Sequence, residues 1–142
     1  MAGEQTVIDL TWKGELVFEG TSADAGMVLD SARKAGPSPV QALAFGLAGC
    51  MAMDVASILA KGRLDVRGIT AHLVADRAED HPKRFVKIDL KLTVEGDVPE
   101  DKVERAMALS REKYCSVWHS MRQDIPFTTS FAVVRPVRPP LP

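Results

Sequence analysis

The chain has 142 residues, 46% of them hydrophobic and 26% charged, which is enough apolar material for a sizeable core in one compact domain. Its 18 Lys and Arg against 19 Asp and Glu leave a net charge of -1 with no basic run, arguing against nucleic acid or anionic lipid as a partner. The opening MAGEQTVIDL lacks the basic and apolar regions of a secretory signal, so a cytoplasmic setting is expected in which both cysteines are reduced.

Residues 6–12 and 15–21 read as two short strands of a hairpin joined at Lys13-Gly14, where glycine supplies the turn conformation. Residues 27–30 offer a third strand. The cluster Ala35-Gly36-Pro37-Ser38-Pro39 breaks the pattern and starts a helix, with Ser38 as N-cap and Pro39 as first helical residue. From 40 to 60 apolar residues occupy every face, as in a buried central helix. The run is about as long as a membrane span, but Gln41, Asp54 and Ser57 and its richness in Ala and Gly argue against one. Gly46 and Gly49 each weaken the helix by about 1 kcal/mol relative to Ala, a cost usually offset by a second backbone packed closely against them.

Two long strands are expected at 66–77 and 84–95, the second alternating Val86, Ile88, Leu90, Leu92 and Val94 with polar residues. EDHPK connects them as a turn, with His81 in the loop. After Gly96-Asp97-Val98-Pro99 a helix follows whose inner stripe is Val103, Ala106, Met107, Ser110 and Tyr114. A shorter helix at 116–123 and a last strand at 127–134 complete the order. The domain is expected to span residues 1–135, with a proline-rich tail at 136–142. This arrangement predicts an α+β fold with a largely antiparallel sheet.

Cys50 and Cys115 are 65 positions apart, so no CxxC redox motif or zinc-knuckle spacing exists. Residue type alone favours buried cysteines that act as small hydrophobes. Their contexts point to reactivity as well. Cys50 lies among Ala48, Gly49 and Ala52, which leave room beside the sulfur, and Cys115 stands at the start of a short helix, whose free N–H groups favour a thiolate. Asp54 shares the helical face of Cys50, so an activated Cys50 needs a cation; Lys13 and Arg33 are the candidates, each also readable as a solvated surface charge. Cys115 and His119 are one turn apart, a spacing compatible with a metal or a thiolate-imidazolium pair, but no further ligands cluster with them and no metal is expected. Met51 and Met53 beside Cys50 point in different directions and read as core rather than copper ligands.

Taken together, PSPVQALAFGLAGCMAMDVASIL, EDHPKRFVKIDLKLTVEG and VERAMALSREKYCSVWHSM resemble the OsmC/Ohr family, which comprises osmotically inducible protein C and the organic hydroperoxide resistance proteins. The resemblance extends from Pro37 to about Val134. It implies an OsmC-like fold, with antiparallel sheets wrapped around long buried central helices in an intertwined homodimer. It implies a thiol-dependent peroxidase in which Cys50 attacks an organic hydroperoxide, a fatty-acid hydroperoxide among the candidates. Cys115 then resolves the sulfenic acid to a disulfide, and a dithiol, such as a lipoylated protein, restores both thiols. No cofactor is implied. Gln41, Phe45 and Met53 are expected at the substrate, with Met51 as a further candidate for an apolar lining. In the peroxidase branches a glutamate follows the helix-start proline and holds an arginine against the cysteine; here Val40 occupies that place. Arg33 is carried over as the arginine, with Lys13 a weaker substitute because it lacks the planar fork. The missing glutamate keeps a second reading open, a non-catalytic redox-sensing or small-molecule-binding dimer.

Overall fold

Alternating residues at the start of the chain build a three-stranded antiparallel sheet in the order β1-β2-β3, from β1 (Asp9–Gly14), β2 (Val17–Ser22) and β3 (Ala25–Asp30). The computed structural model describes residues 3–136. The first hairpin turns at Glu15-Leu16 and not at Lys13-Gly14, because Gly14 still pairs with Val17 across a bulge, at φ +112°. The pairs Leu10-Gly20, Trp12-Phe18, Phe18-Leu29 and Gly20-Met27 place the large apolar side chains of all three strands on one face.

A reciprocal capping box opens α1 (Pro39–Lys61): Gln41 N–H donates to Ser38 Oγ at 3.2 Å, and Ser38 N–H donates to Gln41 Oε1 at 3.0 Å. Within one chain α1 is covered along one stripe. Only Leu47, Met51, Val55 and Leu59 are buried, a stripe repeating every four residues, because one chain supplies cover for one side only. Leu43, Phe45 and Met53 stay exposed. Among the described residues of the chain, no second backbone lies against the two helix glycines. A Cβ on Gly46 would meet Val117 at an ordinary 3.8 Å, and one on Gly49 would meet nothing within 4 Å. By length and composition α1 passes for a membrane span, a test that the core helix of a soluble protein passes equally.

The second sheet has the order β4-β5-β6, formed by β4 (Asp65–Arg77), β5 (Phe85–Asp97) and β6 (Phe127–Val134). β4 and β5 pair antiparallel, but β5 and β6 run parallel, from Ile88-Phe127 to Glu95-Val134. Three of the four strand pairings are antiparallel, as the largely antiparallel expectation has it, and β5-β6 is the exception. The helical segment between β5 and β6 carries the chain back across the sheet to start again at the same end, as a crossover does. Ile88, Leu90, Leu92 and Val94 are at most 1% exposed, so the alternation in β5 does mark its buried face. Gly96 sits at φ +146°, where a side chain would run into the Asp65 carbonyl.

The crossover consists of α2 (Glu100–Leu109), a π turn (Ser110–Tyr114) and α3 (Ser116–His119). Val103, Ala106, Met107 and Ser110 form the buried stripe as expected, whereas Tyr114 is 50% exposed, because the π turn rotates it off the stripe. α3 stops short of the expected Gln123. The Gln123 side-chain amide donates to the carbonyls of Trp118 and Met121, and this local bonding replaces continuation of the helix. Contacts group the described residues into two compact units that divide between Phe45 and Gly46. Of the proline-rich tail, residues 137–142 lie outside the described residues.

Candidate active site

Cys50 borders the buried stripe of α1, one residue before Met51 and three after Leu47, and is half-buried. Asp54, also half-buried, follows one turn later on the same face. Cys115 arrives through an irregularity. Five residues along a regular α-helix turn a side chain about 140° away from its start. The wider π turn brings the fifth residue back into line, and the Cys115 N–H donates to the Ser110 carbonyl at 2.7 Å. Ser110 and Cys115 are both fully buried. The Ser110 hydroxyl donates to Asp54 Oδ2 at 2.8 Å, tying the turn that leads to Cys115 to the helix that carries Cys50.

The two thiols are neighbours, close enough for Cys50 to perturb the titration of Cys115. Burial pushes the Cys115 thiol up from 9.0 to about 11, and the Cys50 thiol and Asp54 carboxylate add to the rise. The Trp118 N–H opposes it by donating to Cys115 Sγ at 3.4 Å. Cys115 therefore holds a neutral thiol at physiological pH, and Cys50 is the more exposed of the two cysteines. Trp118 packs on Phe127 with ring centroids 4.6 Å apart, and the Arg111 guanidinium lies 4.8 Å from the Phe127 centroid and 6.0 Å from that of Trp118. This stack fixes α3, and with it the backbone of Cys115.

The structure thus brings together Cys50 and Cys115, the pair singled out in the sequence. Ser110 was read only as a member of the helix stripe; a small hydroxyl on an otherwise apolar stripe was its signal. His119, considered as a partner for Cys115, has Nε2 at 3.0 Å from the Arg111 carbonyl instead. Among the described residues no three His, Cys, Asp or Glu side chains form a metal-binding group.

The remaining candidates divide by unit. In the first, Arg33 stands at φ +60° in the turn after β3, its N–H donating to the Asp30 carbonyl at 2.9 Å. The Asp30 carboxylate accepts from the N–H groups of Ala32, Lys34 and Ala35, of which the Ala35 bond does most to hold it below the usual carboxylate range. Lys13 pairs with Glu19 at 3.7 Å. Gln41 serves in the capping box, and Phe45 is exposed. In the second unit Met53 is exposed, whereas Met51 is fully buried in the core, which corrects its reading as a lining residue.

The family model described as OsmC-like protein matches residues 31–130, the span that contains both cysteines. The chain belongs to the OsmC-like family. Protein YhfA of Escherichia coli strain K12 is 40% identical over 127 residues, which cover 87% of this chain and 94% of that protein. The crystal structure of a hypothetical protein from Aquifex aeolicus VF5 is 29% identical, with a TM-score of 0.88 over 95% of this chain and 100% of that one. An organic hydroperoxide resistance protein OsmC from Legionella pneumophila is 17% identical, with a TM-score of 0.65 over 94% of this chain and 100% of that chain, a likeness of fold alone. The α+β arrangement of two three-stranded sheets with helices is that of OsmC-like structures.

Proposed function

We propose that this OsmC-like protein is a thiol peroxidase that reduces organic hydroperoxides to alcohols. The observation that carries the reading is the proximity of Cys50 and Cys115, one half-buried and one fully buried. In the cycle the Cys50 thiolate attacks the O–O bond, the alkoxide leaves and is protonated to the alcohol, and Cys50 becomes a sulfenic acid. Cys115 sulfur then bonds to Cys50 sulfur, the S–O bond breaks, and the hydroxide leaves with the Cys115 proton as water. A dithiol restores both thiols by exchange, itself becoming a disulfide. A reducing cytosol supplies such dithiols, a lipoylated protein among them.

In this reading Arg33 is the cation that favours the Cys50 thiolate, while Gln41, Phe45 and Met53 meet the substrate, the last two through apolar surface that suits an alkyl chain. The protein acts as a homodimer. The exposed apolar side chains of α1 support this, and so, independently, do those of the first sheet, since large exposed apolar side chains mark interaction sites. The test is consumption of cumene or linoleate hydroperoxide with a dithiol. Wild type is expected to consume it, Cys50→Ser to lose the activity, and Cys115→Ser to accumulate a trappable sulfenic acid. No consumption by wild type with several dithiols overturns the reading.

The negative charge of Asp54 beside the thiols, with Val40 where the peroxidase branches carry a glutamate, favours a second reading: a non-catalytic redox-sensing or binding dimer. Thiols that stay unreactive below about pH 8 and never pair under peroxide support that reading over the first.

A further inference from the structure

Asp54 and Ser110 serve no step in the cycle described above, yet they form a part-buried side-chain bond across 56 positions of sequence at the site itself. Ser110 is bonded on both sides: its hydroxyl donates to Asp54 Oδ2, and its carbonyl accepts from the Cys115 N–H. Asp54 in turn stands one helical turn from Cys50. A single connected path therefore runs from the helix of the attacking thiol to the backbone of the resolving thiol.

We infer that the Asp54–Ser110 pair is a positioning device for disulfide closure, which fixes the Cys115 segment against α1 and sets a negative charge beside the resolving thiol. The inference rests on the proposed Cys50–Cys115 cycle and deepens it. The charge keeps Cys115 protonated while Cys50 is reduced, so that Cys115 is restrained from reacting on its own; closure then runs at a rate set by the fraction of Cys115 thiolate. The raised Cys115 thiol agrees with this. Among the described residues, few groups face Cys115. From α1 they are Cys50 and Asp54; from the π turn, Ser110; within α3, the Trp118 N–H. Arg111 is engaged over Phe127 and Trp118, and His119 is bonded to the Arg111 carbonyl.

Closure can be read without any peroxide. Dithiobis(nitrobenzoate) converts Cys50 to a mixed disulfide with release of one arylthiolate. Cys115 then attacks the Cys50 sulfur, the second arylthiolate leaves with the electron pair of the broken S–S bond, and the Cys115 proton goes to solvent. The rate of the second release is followed against pH in the reduced full-length protein, with thermal unfolding as the control for fold. Asp54→Asn keeps the shape and an acceptor for Ser110 but removes the charge. It is expected to displace the profile to lower pH and to speed closure near neutral pH, about tenfold for each unit by which the thiol's pKa falls. Ser110→Ala keeps the charge but cuts the tether, and is expected to keep the pH midpoint while lowering the plateau rate. A merely structural role moves stability and leaves the Asp54→Asn midpoint where wild type has it. An Asp54→Asn profile that superimposes on wild type, or closure slower at every pH, overturns the inference. Failure of the peroxidase reading is seen separately, as hydroperoxide left unconsumed while the arylthiolate profiles still shift.

Discussion

The two three-stranded sheets are built from the same kind of alternating sequence but end in different surroundings. In β5 the inward residues Ile88, Leu90, Leu92 and Val94 are at most 1% exposed, whereas in the first sheet Leu10, Trp12 and Met27 remain 51%, 63% and 50% exposed. The second sheet is followed by its own crossover helices, and Trp118 of α3 packs directly on Phe127 of β6. The first sheet has no helix of its own length after it until α1, and its apolar face keeps most of its solvent contact. Alternation thus states which side chains share a face, but cover for that face depends on what else the fold supplies.

The largest expected effect tests the covered sheet. Leu92→Ala should cost about 3 kcal/mol in urea unfolding, independent of protein concentration, because it opens a cavity in a filled core. Trp12→Glu is the counterpart in the uncovered sheet. Under the homodimer proposal it should halve the molar mass seen by light scattering, while the stability of each chain changes by only about 0.5 kcal/mol. A wild-type protein that is monomeric at all concentrations breaks that contrast.

Alkaline unfolding sharpens the same contrast at the cysteine site. The Cys115 thiol is raised in the folded state, so its contribution to stability is complete below its ordinary value of 9.0 and is lost as pH rises toward about 11. Cys115→Ala should flatten the decline over that window, as followed by circular dichroism. Ser38→Ala should cost about 1 kcal/mol through loss of the capping box, seen as a lower Tm. The smallest effect is at Asp30, whose carboxyl is held below its ordinary range. Its contribution is present above the ordinary carboxyl pKa and lost as pH falls through the folded-state value, so Asp30→Asn should lessen the acid sensitivity of Tm.

Much of this could be read along the chain. The capping signals Ser38 and Pro39, the alternation of β5 and the stripe of α2 each depend on neighbours within a few residues, and the structure carries all of them. The cysteine contexts and the surrounding segments placed the chain in its family. Misreadings arose where local pattern underdetermines packing. The helical period runs on to Tyr114, yet a π turn interrupts the stripe and leaves that side chain exposed.

The order of strands and helices, their approximate ends and the family were thus set by the sequence, since backbone propensity, capping and side-chain period act over short distances. The tertiary structure alone decided that β6 runs parallel to β5, that Ser110 bonds Asp54, and that two cysteines 65 positions apart become neighbours. Such meetings depend on how the crossover closes onto the sheet and on one extra residue in a helical turn. No local window of sequence contains either.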